Sequence, residues 1–506
     1  MRNRSVFIAL SVFLAGALTV LGFAPFHFSP LPLVTLALLF WQWSQASTPR
    51  QAFNTGWWFG FGFFLAGVSW IYVSLNTFGA MPLPLAAAAT LLFSAFLALF
   101  PAMAGYGVTR SRRSATVKLL LLAPALWVLA EWVRSWLFTG FPWNSVGYSQ
   151  IPGSPLAGFA PVVGIYGVSL VVTVMAGCIA LFATRWRDTN TAHRNAAIIF
   201  AALAVCGFAF RQVAWTTPTG ASTTVSLLQG NVSQDMKWRE DQMFATLDAY
   251  AKLVTRSDAR LIVLPETALP LFLHQVPPDY LDALAAHAKK HNGDVLIGVV
   301  ETSRNGGYYN SAITLGTAPP QIYRKSHLVP FGEFIPLRPV LAWIVNILSI
   351  PLQDFSRGAL DQQPLNIAGQ KVAVNICYED VFGEEIIRQL PQATLLVNIS
   401  NVAWFGRSIA PEQHLQISQA RALETGRYML RATNTGMTAV INPRGEVEKV
   451  APQFETAALT HTVRGYDGAT PYVRWGNYAV LLLLALLLVA AWRTPAQSAE
   501  ASPKPL

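Results

Sequence analysis

Cysteine is scarce in this chain, and so is charge. Its three thiols, Cys178, Cys206 and Cys377, spread over 506 residues, exclude a disulfide framework. Only 12% of the residues are charged against 53% hydrophobic, and the mean hydropathy is +0.38, which excludes an ordinary soluble protein of this size. No phosphate-binding loop, dinucleotide fingerprint or metal-ligand spacing stands out. His327 and His414 have no ligand set around them, so neither a metal nor an organic cofactor is expected.

The net charge of +10 suggests nucleic acid until its distribution is read. Residues 214–470 hold 21 Lys and Arg against 23 Asp and Glu, which leaves 15 basic and only 3 acidic residues for everything else. The basic excess belongs to the apolar part, so no nucleic-acid partner is expected. That part predicts eight membrane spans near 5–24, 28–46, 56–75, 84–107, 119–138, 161–183, 195–213 and 474–492, each close to the ~20 residues that cross a bilayer. Placing the amino terminus in the cytoplasm puts Arg2, Arg4, Arg50, Arg110, Arg112, Arg113, Lys118, Arg185, Arg187, Arg194, Arg493 and Lys504 on one side, as the positive-inside rule requires. Residues 1–213 are then a seven-span bundle, 214–470 an extracytoplasmic domain, and 471–506 an eighth span with a cytoplasmic tail. Glu131 and Arg134, three apart in the fifth span, can share one helical face as an ion pair or meet a lipid headgroup.

The domain alternates buried strands with helices. Apolar runs at 223–230, 261–264, 295–300, 372–377 and 395–399 read as strands, with 310–315 and 321–325 as a hairpin. Residues 239–256, 278–291 and 412–427 read as helices. This interleaving predicts a layered α/β domain. Cys178 and Cys206 fall in spans, where a thiol simply packs. Cys377 alone ends a soluble strand, as do Glu266 and Lys325, and functional groups of α/β sheets gather beyond such ends. A thiol near its ordinary pKa of ~8.5 is mostly protonated at neutral pH and needs a base such as a carboxylate. A nearby ammonium would favour the thiolate and stabilise an oxyanion.

Pro265-Glu266, Lys325 running into His327-Leu-Val-Pro-Phe-Gly-Glu333, and Cys377-Tyr378-Glu379 resemble the Glu-Lys-Cys motifs of the nitrilase superfamily. Gln229-Gly-Asn231, Lys237-Trp238, Arg357-Gly358, Ala403-Trp404-Phe405-Gly406, Gln413-His414, Arg421-Ala-Leu-Glu424, Gly67-Val-Ser-Trp70 and Thr139-Gly-Phe-Pro-Trp143 narrow the resemblance to the membrane-embedded apolipoprotein N-acyltransferases. The resemblance implies a nitrilase-like αββα sandwich on an all-α bundle of eight helices, in the bacterial inner membrane with the catalytic domain periplasmic. It implies ping-pong transfer of an acyl chain from a phospholipid, usually phosphatidylethanolamine, through a Cys377 thioester. The acceptor would be the α-amine of a diacylglyceryl-apolipoprotein. Glu266 would be the base, Lys325 the oxyanion cation and Cys377 the nucleophile. Glu333 and Glu379 would support the amine and the acceptor, with a plain salt-bridge or loop-capping role as the rival. The N–H of Tyr378 would be a second oxyanion donor.

Val402, Thr435 and Asp380 depart from the family pattern, where Asp, Asn and an apolar residue are usual; they put acceptor-loop geometry in doubt, not the triad. Trp238 is expected either on the substrate side or as plain packing. The apolar stretch 339–351, with Trp343 and Ile347, is expected either as a lid admitting lipid tails or as a core helix. The competing function is a membrane-tethered amidase or nitrilase of a small soluble substrate.

Overall fold

The computed structural model describes residues 2–184, 191–234, 237, 239–302, 306–336 and 355–495. Trp238, Trp343, Ile347 and the 339–351 stretch lie outside the described residues. Two compact units emerge: Met1–Ser69 with Ala88–Val213 and Asn477–Leu506, and Trp70–Ala87 with Ala214–Gly476.

The first unit is helical. Among the described residues, four helices are long and apolar enough to cross a bilayer: Leu83–Arg110, Ala115–Arg134, Pro155–Thr184 and Thr191–Arg211. A fifth is reached if Pro49–Gly67 and Trp70–Phe78 count as one broken span, while Val6–Gly22 and Tyr478–Arg493 are apolar but shorter. Local chemistry sets the starts. The Thr48 hydroxyl accepts from the Gln51 N–H at 3.3 Å, with Pro49 in the first turn, where its missing N–H costs nothing. Small residues set the packing: a Cβ on Gly16 would stand 2.0 Å from the Phe59 carbonyl oxygen, and one on Gly62 would stand 2.1 Å from that of Phe13. Two helix backbones therefore touch directly, as small residues permit between apolar helices. Glu131 and Arg134 are both buried and both serve the loop after their helix. Glu131 accepts from Trp127 Nε1 at 2.9 Å and the Val146 N–H at 2.8 Å, and Arg134 donates to the Trp143 carbonyl at 2.7 Å and to that of Phe141.

The second unit holds two mixed six-stranded sheets. One contains β1 (Thr217–Gln229), β2 (Leu261–Val263), β3 (Asp294–Thr302), β4 (Tyr308–Gly316) and β5 (Ile322–Arg324), and the other β6 (Leu365–Ile367), β7 (Gln370–Ile376), β8 (Leu395–Ser400), β9 (Met429–Thr433), β10 (Ala439–Ile441) and β11 (Val447–Val450). The remaining strand, β12 (Ala457–Asp467), pairs antiparallel with β1 at the edge of the first sheet. Each sheet has a parallel centre, β1–β2–β3 and β7–β8–β9, flanked by antiparallel strands. Period-2 alternation divides each strand's side chains between two faces. Leu227, Val263, Leu296, Val374, Val397 and Leu430 share one core between the sheets. On the outer faces, Ile262, Val295 and Ile297 pack with Leu247, Val254 and Leu284 of helices Glu240–Thr255 and Pro278–Lys290, and Ala373 and Leu396 pack with Leu415 and Ala422 of Ala410–Thr425. The layering is helix, sheet, sheet, helix. The expected hairpin is present, with Ala312 opposite Tyr323.

Candidate active site

Three strand ends converge. Glu266 lies just beyond β2, Lys325 immediately follows β5 and Cys377 immediately follows β7. The bend carrying Glu266 crosses β3 at Gly298, where a Cβ would stand 2.3 Å from the Pro265 carbonyl oxygen and 2.7 Å from Glu266 Cα. Only glycine lets the base approach the sheet so closely. Cys377 begins a 3₁₀ turn with φ +54°, left-handed backbone for a residue with a Cβ. Such strain, about 1–2 kcal/mol, persists only where the surroundings hold it.

Glu379 supplies much of that hold. One of its oxygens accepts from the Ser326 N–H (2.6 Å), the Ser326 hydroxyl (2.9 Å) and the His327 N–H (3.1 Å); the other accepts from the Ile376 N–H (2.7 Å) and the Tyr323 hydroxyl (3.0 Å). Five donors occupy this buried carboxylate, so it ties the Lys325 loop to the Cys377 turn. Deeper still, Asn398 Nδ2 donates to the Cys377 carbonyl at 3.1 Å. Asp380, one of the departures from the family pattern, is fully buried and satisfied: it meets His414 Nε2 at 2.6 Å, Arg431 at 3.1 Å and the Ser418 hydroxyl.

Lys325 is buried between two carboxylates, 2.9 Å from Glu333 Oε1 and 3.5 Å from Glu266 Oε1. Glu333 also accepts from Asn310 Nδ2 at 3.0 Å and from the Val329 N–H at 2.8 Å. Glu266 accepts from Asn310 Nδ2 and from the Asn401 N–H, both at 2.7 Å. Asn401 opens the loop whose Trp404 carbonyl accepts from the Ser74 hydroxyl at 2.8 Å and whose Phe405 meets Trp70 edge-on, with ring centroids 4.8 Å apart. A second buried amine, Lys237, donates to the Glu266 carbonyl at 3.3 Å and to the Thr267 hydroxyl.

These contacts fix the protonation states. Burial works to raise Glu266, but Lys325, Asn310, Lys237 and the Asn401 N–H outweigh it and hold the carboxyl below its usual range. Burial alone would lower Lys325, and the Glu333 and Glu266 carboxylates reverse this and raise it. Burial and the Glu266 charge push the Cys377 thiol up to about 12, against the pull of Lys325 and the Ser400 hydroxyl. An ionised carboxylate thus shares a site with a neutral thiol and a permanent ammonium. That arrangement suits proton abstraction coupled to nucleophilic attack.

Residues 15–178 match the model of the apolipoprotein N-acyltransferase N-terminal domain, and residues 224–471 match the carbon-nitrogen hydrolase model. The apolipoprotein N-acyltransferase of Nitrosomonas europaea is 56% identical over 96% of this chain and 97% of its own length. That of Methylococcus capsulatus is 47% identical over 93% of each chain, and that of Chromobacterium violaceum 44% identical over 98% of this chain and 96% of its own. The chain belongs to the apolipoprotein N-acyltransferase family. It is therefore a membrane protein with a nitrilase-like fold over residues 224–471, and an enzyme of the N-acyltransferase type.

The structure brings Glu266, Lys325 and Cys377 together with Glu333 and Glu379, all expected from the sequence, and adds Asn310, Asn401 and Lys237, which the sequence did not mark for this site. Asn310 is one of several buried polar residues in its strand, beside Ser311 and Thr314, and Asn401 meets Glu266 through its backbone, so neither leaves a pattern. Lys237 stood only as half of the word Lys237-Trp238. Glu379 accepts from backbone N–H groups and hydroxyls of the Lys325 and Cys377 segments.

Proposed function

We propose that this protein completes bacterial lipoproteins by moving an acyl chain from a phospholipid to the α-amine of a diacylglyceryl-cysteine, through a thioester on Cys377. The observation that carries this reading is the meeting of Glu266, Lys325 and Cys377 at three strand ends. As Cys377 Sγ attacks the ester carbonyl, its proton passes to Glu266. Lys325 and the Tyr378 N–H face the oxyanion that forms. Collapse breaks the ester C–O bond, and Glu266 returns the proton to the leaving lysophospholipid alkoxide. In the second half, the neutral amine of the acceptor attacks the thioester, its proton goes to Glu266, the C–S bond breaks and the thiol is restored. One sulfur serves both substrates in turn, which is ping-pong order.

Phosphatidylethanolamine is the favoured donor, on the family resemblance. The family and the one-sided basic residues of the apolar part support an inner-membrane protein with its catalytic domain, residues 214–470, on the periplasmic side. They also support seven spans in 1–213 and an eighth in 471–506, with Val6–Gly22 and Tyr478–Arg493 among them. Trp238, Trp343 and Ile347 remain candidates for the lipid side.

The test is transfer in detergent micelles, with phosphatidylethanolamine as donor and a diacylglyceryl-cysteinyl peptide as acceptor, read as the peptide's mass gain. Wild type should add one acyl chain and Cys377→Ala none. A Cys377→Ala protein that still acylates the peptide would sink the covalent route, and hydrolysis of small amides without peptide acylation would favour an amidase.

A further inference from the structure

Lys237 is a second buried amine at the reaction centre that the mechanism leaves unused. It is buried, and its ammonium grips the bend that carries the base, at the Glu266 carbonyl and the Thr267 hydroxyl. Thr267 has φ +45°, another left-handed residue with a Cβ, so the bend needs holding.

Lys237 is one of only two ammoniums that the described residues set against the carboxylates of this cluster. Glu266 faces Lys325 and Lys237; Lys325 faces Glu333, Glu266, Cys377 and Glu379; Cys377 also feels Glu333, Lys237 and Arg431. Arg431 is committed to Asp380, which also meets His414. Removing Lys237 would leave Glu266, Glu333 and Glu379 facing the single ammonium of Lys325. That ammonium stands nearer Glu333 than Glu266, by 2.9 Å against 3.5 Å. Buried carboxylates short of counter-charge take up protons, and a protonated Glu266 cannot accept one from the thiol.

We propose that Lys237 is the second cation of the active site, a positioning residue that keeps Glu266 ionised and aimed at Cys377. This rests on the reading of Glu266 as the base. Burial, working against Glu266 and Cys377, lowers the amine to about 8, so it keeps most of its charge at neutral pH.

The experiment follows alkylation of Cys377 by iodoacetamide between pH 4 and 8, in the full-length protein in detergent, by intact mass. This readout does not depend on the identity of the acyl donor. Wild type should react at a nearly constant rate from pH 8 down to 5, because its base stays ionised. Lys237→Gln and Lys237→Met should both show an acid limb about two pH units higher, reacting roughly tenfold slower at pH 5 than at pH 7. Lys237→Arg should move the limb back. Glutamine can still donate to the Glu266 carbonyl and the Thr267 hydroxyl, so a merely structural lysine would leave the Lys237→Gln limb where wild type has it. That outcome overturns the proposal, and Lys237→Gln decides it even if Lys237→Met fails to fold. Glu266→Gln is the companion. If it keeps the wild-type limb, the assignment of the base falls and this proposal with it; if it loses the limb while Lys237→Gln stays unmoved, only the role of Lys237 falls.

Discussion

Replacing Glu266 by Gln removes the base with almost no change in volume. With the Cys377 thiol pushed up to about 12, only about one molecule in 10⁵ would be thiolate at pH 7 without help. General-base assistance is worth roughly 10²–10⁴-fold, equivalent to about 2.7–5.4 kcal/mol of barrier. Single-turnover acylation of Cys377 by phosphatidylethanolamine, quenched in acid and read by intact mass, should slow by that factor at pH 7. The pH dependence should also change from flat to rising. Wild type is insensitive around neutrality because Glu266 lies below its usual range, whereas the variant must wait for the thiol to ionise and should gain about tenfold per pH unit in mild alkali. Losing the Glu266 charge also eases thiol ionisation, since that charge helps raise Cys377, so the drop should sit nearer the lower end of the range. A Glu266→Gln protein that acylates at the wild-type rate, with a flat pH profile, would refute the assignment.

Glu333→Ala should remove the shorter of the two ion pairs of Lys325 and leave the longer one to Glu266; breaking a buried pair costs about 3–5 kcal/mol, seen as a lower thermal midpoint and lost acylation together. Gly298→Ala should push the Glu266 bend off β3, cutting alkylation of Cys377 far more than it lowers the midpoint. Glu266 and Asp380 both lie below their usual ranges, the latter because His414, Arg431 and Ser418 outweigh burial. Their contribution is therefore intact above the unfolded carboxylate value of about 4 and is lost as pH falls through the folded values. The midpoint of tryptophan-monitored unfolding should stay level from pH 7 to about 5 and drop below about 4. A steady decline from pH 7 would contradict this.

Glu266 and Cys377 were legible because each follows a largely apolar run that announces a buried strand, whereas Lys325 follows only Ile322-Tyr323-Arg324 and was marked by the words around it. The second sheet was half hidden. Arg431 sits inside β9 with its guanidinium buried against Asp380 and Asn398, and a charge in mid-strand breaks the pattern that would have revealed it. The edge strand β12 alternates buried with exposed positions and carries no long apolar run. Asp380 looked like a disturbance from sequence alone, but its partners His414, Ser418 and Arg431 come from 34 or more residues away, and pairings at that range leave no local trace. The span count differs because the helix of Pro49–Gly67 breaks at Val68 and Ser69 before Trp70 and because Leu31–Gln45, Val6–Gly22 and Tyr478–Arg493 are short; a hydropathy window averages across such breaks and ends.

The central claim is that Cys377 carries the acyl chain between two substrates. Incubating the purified protein with phosphatidylethanolamine and no acceptor, then weighing it intact, tests this directly. The account predicts one long-chain acyl adduct on Cys377, removed by hydroxylamine and discharged when a diacylglyceryl-cysteinyl peptide is added. Peptide acylation proceeding while Cys377 stays unmodified would contradict it.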